Sequence, residues 1–213
     1  QCLQIFVSPP RAWPRVEKLI PLYAVSARKQ RGSTKHPSGS CSENQDPRDF
    51  RQAVEAAHLV APIAHACYLI NLASPDPQLW KQSTEALLVE WKRAEELQLD
   101  GIVLHPGAHT TASVDQGLEN VIRGIRAVEQ QLSPKRCPLL LENTAGQGTC
   151  LGWEIGQLGY LLREASSSMV KICWDTCHAL AAGYDFRTPA GMRAMGAELR
   201  QHGVLDAIRA IPI

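Results

Sequence analysis

Short apolar runs recur along the chain, separated by stretches of helical periodicity. The runs at residues 3–7, 60–63, 101–104, 138–141, 170–174 and 208–211 are brief, nearly all apolar, and β-branched or leucine-rich. That is how a parallel strand covered on both faces reads. Between them lie helices with clear entry signals. Asp76 is placed to cap a helix with Pro77 in its first turn, and Leu79, Ala86, Leu87, Trp91 and Ala94 then share one face. Ser113 and Gln116 have the spacing of a capping box ahead of Leu118, Val121, Ile122, Ile125 and Val128. Thr188-Pro189 opens a further helix. Strand and helix alternate, which predicts parallel βα units.

Residues 27–49 break the pattern. They hold almost no large apolar side chain and are rich in Ser, Gly, Pro, Lys and Arg, so they are expected to form a flexible insertion inside one domain spanning 1–213. Its cations Arg28, Lys29, Arg31 and Lys35 read as a solvated loop.

The polar residue just past each strand carries the chemistry. Run 60–63 leads to His65, 101–104 to His105, 138–141 to Glu142, and 170–174 to Asp175 with His178 three residues on. The intervals 65 to 105, 105 to 142 and 142 to 175 are 40, 37 and 33 residues, each the length of one βα unit. In a parallel βα fold all these ends lie on one face, and in a barrel they converge on one mouth. Three imidazoles and two carboxylates gathered there suit zinc or manganese. The bland alternative makes Glu142 a turn cap and Asp175 with His178 an Asx-turn at a helix start. An open doubly wound sheet would also place ligands at strand ends, yet Gly146-Gln147-Gly148 matches no phosphate-loop pattern, so a barrel is expected. His36, His58, His109 and His202 read as uncommitted. Cys173 is expected to turn away from Asp175 by strand alternation and to stay in the core.

Composition narrows the class further. The 213 residues carry 22 Lys+Arg against 21 Asp+Glu, so bulk positive charge cannot grip a polyanion and nucleic-acid contact must be local. No apolar run approaches the ~18 residues of a membrane span, and the first residues show no charged start followed by an apolar secretory core. Seven cysteines without zinc-ribbon spacing point to reduced thiols in a cytoplasmic compartment. The run that begins at Gln1 reads as a strand already under way, so a piece of a longer protein is expected.

The segments His65-Ala66-Cys67-Tyr68-Leu69-Ile70-Asn71-Leu72, His105-Pro106-Gly107, Glu142-Asn143-Thr144-Ala145-Gly146-Gln147-Gly148 and Asp175-Thr176-Cys177-His178-Ala179 closely resemble signature segments of the endonuclease IV family. Ala182-Gly183-Tyr184-Asp185 and Arg187-Thr188-Pro189 continue the likeness. The resemblance implies a TIM (β/α)8 barrel and a zinc-dependent hydrolase of DNA base-excision repair, cutting the phosphodiester 5′ to an abasic site in duplex DNA. It implies that His65 and His105 hold a first zinc, that Glu142 bridges it to a second, that Asp175 binds the second and His178 a third. It also implies DNA contacts by Arg11 and by Tyr68 and Leu69, the latter two entering the duplex at the lesion; separately, a monomer is expected.

Departures from the family pattern temper this expectation. Pro212 stands 37 residues beyond Asp175, where the family places a histidine ligand, and Ser8 and Pro9 replace residues that are often Lys and polar. Five of nine family ligands have a counterpart. Six of eight barrel strands can be counted, leaving an incomplete barrel with open outer edges. Weak zinc binding and impaired cleavage are therefore expected. Two other readings stand beside the nuclease: a catalytically inactive zinc- or DNA-binding fragment, and a metal-dependent sugar isomerase or epimerase on a related barrel, which would have no use for Arg11, Tyr68 and Leu69.

Overall fold

The structure is a computed structural model that describes residues 4–8, 13, 23–24 and 47–212. Arg11, Pro9 and most of the expected insertion lie outside the described residues. Strands β1 (Gln4–Phe6), β2 (Tyr23–Ala24), β3 (Ile63–His65), β4 (Gly101–Leu104), β5 (Leu139–Glu142), β6 (Val170–Cys173) and β7 (Ile208–Ala210) form one sheet in the order β2-β1-β3-β4-β5-β6-β7. All neighbours pair in parallel except β2, which runs antiparallel along β1. Helices α1 (Pro47–Ala56), α2 (Pro77–Glu96), α3 (Val114–Leu132), α4 (Ile155–Ala165), α5 (Thr176–Ala181) and α6 (Pro189–Gln201) fall between the strands. Six parallel strands with interleaved helices make an incomplete TIM barrel. The outer edge of β1 is paired by β2, contrary to the open edge expected there.

The entry signals work as chemistry predicts, with one exception. Asp76 Oδ1 accepts from the amides of Gln78 (2.7 Å) and Leu79 (3.2 Å), and Thr188 Oγ1 accepts from Gly191 (3.1 Å). Ser113 Oγ accepts from the Gln116 amide at 3.2 Å, but the Gln116 side chain donates to Asn120 Oδ1 instead of reaching back. The capping box is therefore half formed. The predicted strand at 60–63 is displaced. Ala61 adopts a positive φ of 52° ahead of Pro62, and Val60 is 65% exposed, so pairing begins only at Ile63 and runs through His65. Proline, lacking an N–H, marks the break. The last residues of the expected insertion, 47–49, are corrected too: Pro47 and Asp49 form the first turn of α1, a proline-led, acid-bearing start that low apolar content concealed.

The core lies mostly between the sheet and its helices. Trp91, Leu87 and Ala94 of α2 and Val121, Ile125 and Val128 of α3 are buried against Leu99, Ile102, Leu139 and Leu141. A smaller cluster on the inner face joins Val103, Leu140 and Cys173, with Ile63 and Ala210 against it. Two α2 groups tie strands to the helix layer. Trp91 Nε1 donates to Cys137 O (2.8 Å), and Glu95 Oε1 accepts from the amides of Lys135, Arg136 and Cys137 (3.1, 3.0 and 2.7 Å), fixing the approach to β5. No helix among the described residues is long and apolar enough to cross a membrane. Among the described residues Cys137, Cys150, Cys173 and Cys177 carry free thiols.

Glu90 of α2 is wholly buried; its Oε2 accepts from the Cys67 amide at 2.9 Å, while Oε1 has no hydrogen-bond partner among the described residues. Burial drives its pKa up to about 7, against the pull of the Cys67 amide, the Ser8 hydroxyl and the Arg93 charge. Because its folded pKa lies above the ordinary value, the folded state holds the proton longer than the unfolded chain. Stability from this group is complete below about pH 4.5 and falls as pH rises towards 7, by roughly 3 kcal/mol. Glu90→Gln is therefore expected to match wild type at pH 4 and exceed it at pH 8. Urea unfolding at both pH values, without metal, measures this, and an equal gap at both would refute it.

Candidate metal centre

The strand registers place the site. Val103 pairs with Leu140, and Glu142 with Cys173. The inner-face residues Ile63, Val103, Leu140, Cys173 and Ala210 form one layer of the half-barrel. Two residues further along each chain come His65, His105, Glu142, Asp175 and Pro212. Side chains alternate with period two along a strand, so these residues belong to the next layer, at the carboxyl-terminal mouth. Cys173 thus shares the inner face with Asp175, one layer below, rather than turning away from it as expected. The expectation that it stays in the core holds, and burial pushes its thiol pKa up.

His65 Nε2 and His105 Nε2 both approach Glu142 Oε2, at 3.2 and 2.7 Å. The three donor atoms lie within 4.8 Å of one another, and so do those offered by Glu142, Asp175 and His178. Glu142 is common to both groups. His178, matched by resemblance to a different ion from Asp175, is thus brought into one group with it. His65 and Glu142 are buried, and His105 is half-buried. Burial alone would raise the pKa of Glu142; the hydrogen bonds and charges of His105 and His65 outweigh it and bring the carboxyl down to about 2.

Backbone carbonyls set the imidazole tautomers. His65 Nδ1 lies 2.7 Å from Ala66 O and His178 Nδ1 2.9 Å from Asn143 O. A carbonyl can only accept, so each Nδ1 carries the proton and donates it. With Nδ1 protonated, His65 presents Nε2 to the carboxylate lone pairs of Glu142. Such a contact is attractive only with a proton or a metal cation between the two atoms. Oriented imidazoles facing a shared carboxylate are a donor set that fits zinc or a similar transition metal.

Asp175 serves in two ways. Its Oδ1 caps α5 by accepting from the His178 amide at 2.7 Å, the arrangement of the bland alternative, yet the carboxylate still lies within the Glu142–Asp175–His178 group. His109 stays outside, its Nδ1 donating to Ala112 O (2.6 Å). Beside the centre, Tyr68 and Leu69 occupy the turn after β3 and are 53% and 37% exposed. The Tyr68 ring lies 4.9 Å from the His65 ring, 5.5 Å from that of Phe6 and 6.3 Å from that of His105.

Sequence reasoning gave no role to Asn71 or Asn143, although both touch the ligand-bearing loops. For Asn143 the available signal was an amide side chain directly after Glu142 at a strand end; Asn71, six residues past β3, offered none.

Residues 33–210 match the family described as Xylose isomerase-like TIM barrel. The protein of Carboxydothermus hydrogenoformans named "Probable endonuclease 4" is 33% identical over 154 residues, which cover 72% of this chain and 54% of that protein. The protein of the same name from Halothermothrix orenii is 32% identical over 212 residues, covering 98% of this chain and 66% of its own length. Among solved structures, endonuclease IV from Thermus thermophilus superposes with a TM-score of 0.70 at 28% identity, over 98% of this chain and 64% of that one. The chain thus spans between half and two thirds of the length of these relatives. Matched along most of its length in sequence and in fold, the chain belongs to the xylose isomerase-like TIM-barrel family and, within it, to the endonuclease IV family.

Proposed function

We propose that this chain is the metal-binding part of a DNA-repair endonuclease that hydrolyses the phosphodiester 5′ to an abasic site in duplex DNA. The observation that supports this most is the convergence of His65 and His105 on Glu142 beside an exposed aromatic–aliphatic turn. In this reading His65, His105 and Glu142 hold one zinc, and Glu142, Asp175 and His178 contribute to further ions. Bound zinc would supply a water of lowered pKa, near ~7, and offset the charge developing on the phosphate oxygens. Glu142, held ionised down to about pH 2 by His105 and His65, would be available as an anionic ligand to both groups at working pH.

Tyr68 and Leu69 suit a wedge that enters the duplex where a base is missing, because extruding an abasic nucleotide costs less unstacking than an intact one. Arg11 is proposed as a further DNA contact. A sugar isomerase would have no use for a projecting Tyr68-Leu69 pair next to its metal, and we favour the nuclease for that reason. Action as a monomer in the cytoplasm goes with this reading, as does the assignment of residues 1–213 to a single barrel domain.

The 213 residues by themselves are proposed to be a weak catalyst. Pro212 sits in the mouth layer with Asp175 and has no donor for a metal; its carbonyl instead accepts from Thr176 Oγ1 at 3.1 Å. Incubating the purified chain with zinc and a duplex holding one abasic site is expected to give slow incision that leaves a 3′-hydroxyl and stops with a chelator. A 3′-unsaturated aldehyde product, or equal affinity for abasic and intact duplex, would sink the reading. Replacing both wedge residues (Tyr68→Ala with Leu69→Ala) is expected to weaken binding of a non-cleavable abasic duplex by roughly tenfold, leaving zinc content unchanged.

The metal assignment has its own check. Glu142→Gln is expected to lower zinc affinity at least ~100-fold, since it removes an anionic ligand common to both groups. Competition with a chromogenic chelator measures it, and wild-type affinity in the variant would refute it.

A further inference from the structure

Two asparagines join neighbouring βα loops by the same geometry. Asn143, just past the end of β5, is 1% exposed. Its Oδ1 accepts from the Asp175 amide at 2.6 Å and its Nδ2 donates to Asp175 O at 2.9 Å. Asn71, in the loop after β3, treats Ala108 in the same way: Oδ1 accepts from the Ala108 amide and Nδ2 donates to Ala108 O, both at 2.9 Å. Each carboxamide thus pairs with both backbone groups of one residue on the adjacent unit, as a residue in a narrow sheet pair does. A primary amide is the side chain that offers donor and acceptor side by side without charge; Asp lacks the donor and Leu lacks both. Because Oδ1 faces an N–H and Nδ2 faces a carbonyl at both sites, the amide orientation is forced.

The consequences reach the metal centre by short paths. Asn143 holds Asp175 by its backbone, and the Asp175 carboxylate in turn caps the amide of His178. The main-chain carbonyl of Asn143 accepts from His178 Nδ1. One residue therefore sets the backbone of one candidate ligand and the ring of another, immediately beside Glu142. Asn71 fixes the segment that follows His105. A Cβ at Gly107 would lie 2.2 Å from Asn71 Oδ1, so glycine there leaves room for the amide to dock. Its φ of 107° is a conformation that glycine alone adopts freely.

We propose that Asn143 and Asn71 are positioning residues that extend the sheet beyond its strand ends by side-chain pairing. Asn143 locks Asp175 and His178 onto Glu142, and Asn71 locks the His105 loop. Neither touches a metal or substrate. The proposal rests on the metal-centre reading for its purpose, but its geometry is made by atoms of the chain alone and is tested without added metal.

The test compares Asn143→Ala and Asn71→Ala by amide hydrogen exchange and by 15N spectra of the histidine rings, without metal. In wild type the Asp175 and Ala108 amides are expected to be protected, and His178 to show one tautomer with the proton on Nδ1. Asn143→Ala should speed Asp175 exchange by roughly 100-fold and mix the His178 tautomers, leaving Ala108 and His105 unchanged. Asn71→Ala should release Ala108 and shift the His105 signals without affecting His178. Zinc affinity should fall about 10- to 100-fold in each variant, the usual effect of losing a group that orients a ligand. Identical perturbation of both loops by either variant, or none, would overturn the proposal. Should a variant fail to fold, wild type still decides, because unprotected Asp175 and Ala108 amides would also overturn it. If wild type binds no zinc yet shows the crossed exchange pattern, the metal reading fails and the positioning roles stand.

Discussion

A parallel sheet delivers the carboxyl end of every strand to one face, and the register between strands decides which residues meet there. Here Ile63, Val103, Leu140 and Cys173 meet in one apolar inner layer, so the residues two positions later arrive together. His65, His105, Glu142 and Asp175 owe their proximity to this constraint. A slip of one residue in β5 would turn Glu142 to the helix side and replace it at the mouth with Leu141 or Asn143. The devices that hold β5, the three amides on Glu95 and the Trp91 indole on Cys137 O, therefore bear on the centre although they lie at the opposite end of the strand.

Two buried glutamates show how environment, not residue type, decides charge. Glu90 receives one backbone hydrogen bond on one oxygen and is pushed towards neutrality by burial. Glu142 is also buried, yet two imidazole nitrogens meet one of its oxygens and keep it ionised. The first pattern suits a group that fastens the turn carrying Tyr68. The second suits a cation site, because a buried carboxylate is stable only when positive charge or strong donors surround it.

Much of this was legible in the amino-acid order. Six of the strands, the caps at Asp76, Ser113 and Thr188, and the polar residue after each strand follow from patterning, and the periodic spacing implied one face. The errors have local causes. Run 60–63 looked like a strand by composition, but Pro62 delays pairing to Ile63, which moves His65 inside β3. Residues 47–49 looked like loop because they are polar, although a helix's first turn is polar too. Cys173 shares a face with Asp175, contrary to expectation, because strand alternation has period two and residues two apart fall on the same side.

What the sequence determined by itself is the inventory: which side chains end each strand, how far apart they lie along the chain, and that helices separate them. Local propensity and hydrophobic period suffice for that, since both act over a few residues. What only the tertiary structure decided is the convergence of two imidazoles on one carboxylate oxygen, the tautomers fixed by Ala66 and Asn143 carbonyls, and the pairing of Asn71 and Asn143 with loops 37 and 32 residues away. Those contacts depend on register and on the close packing of separate βα units, and no property of a single segment encodes a distance to another.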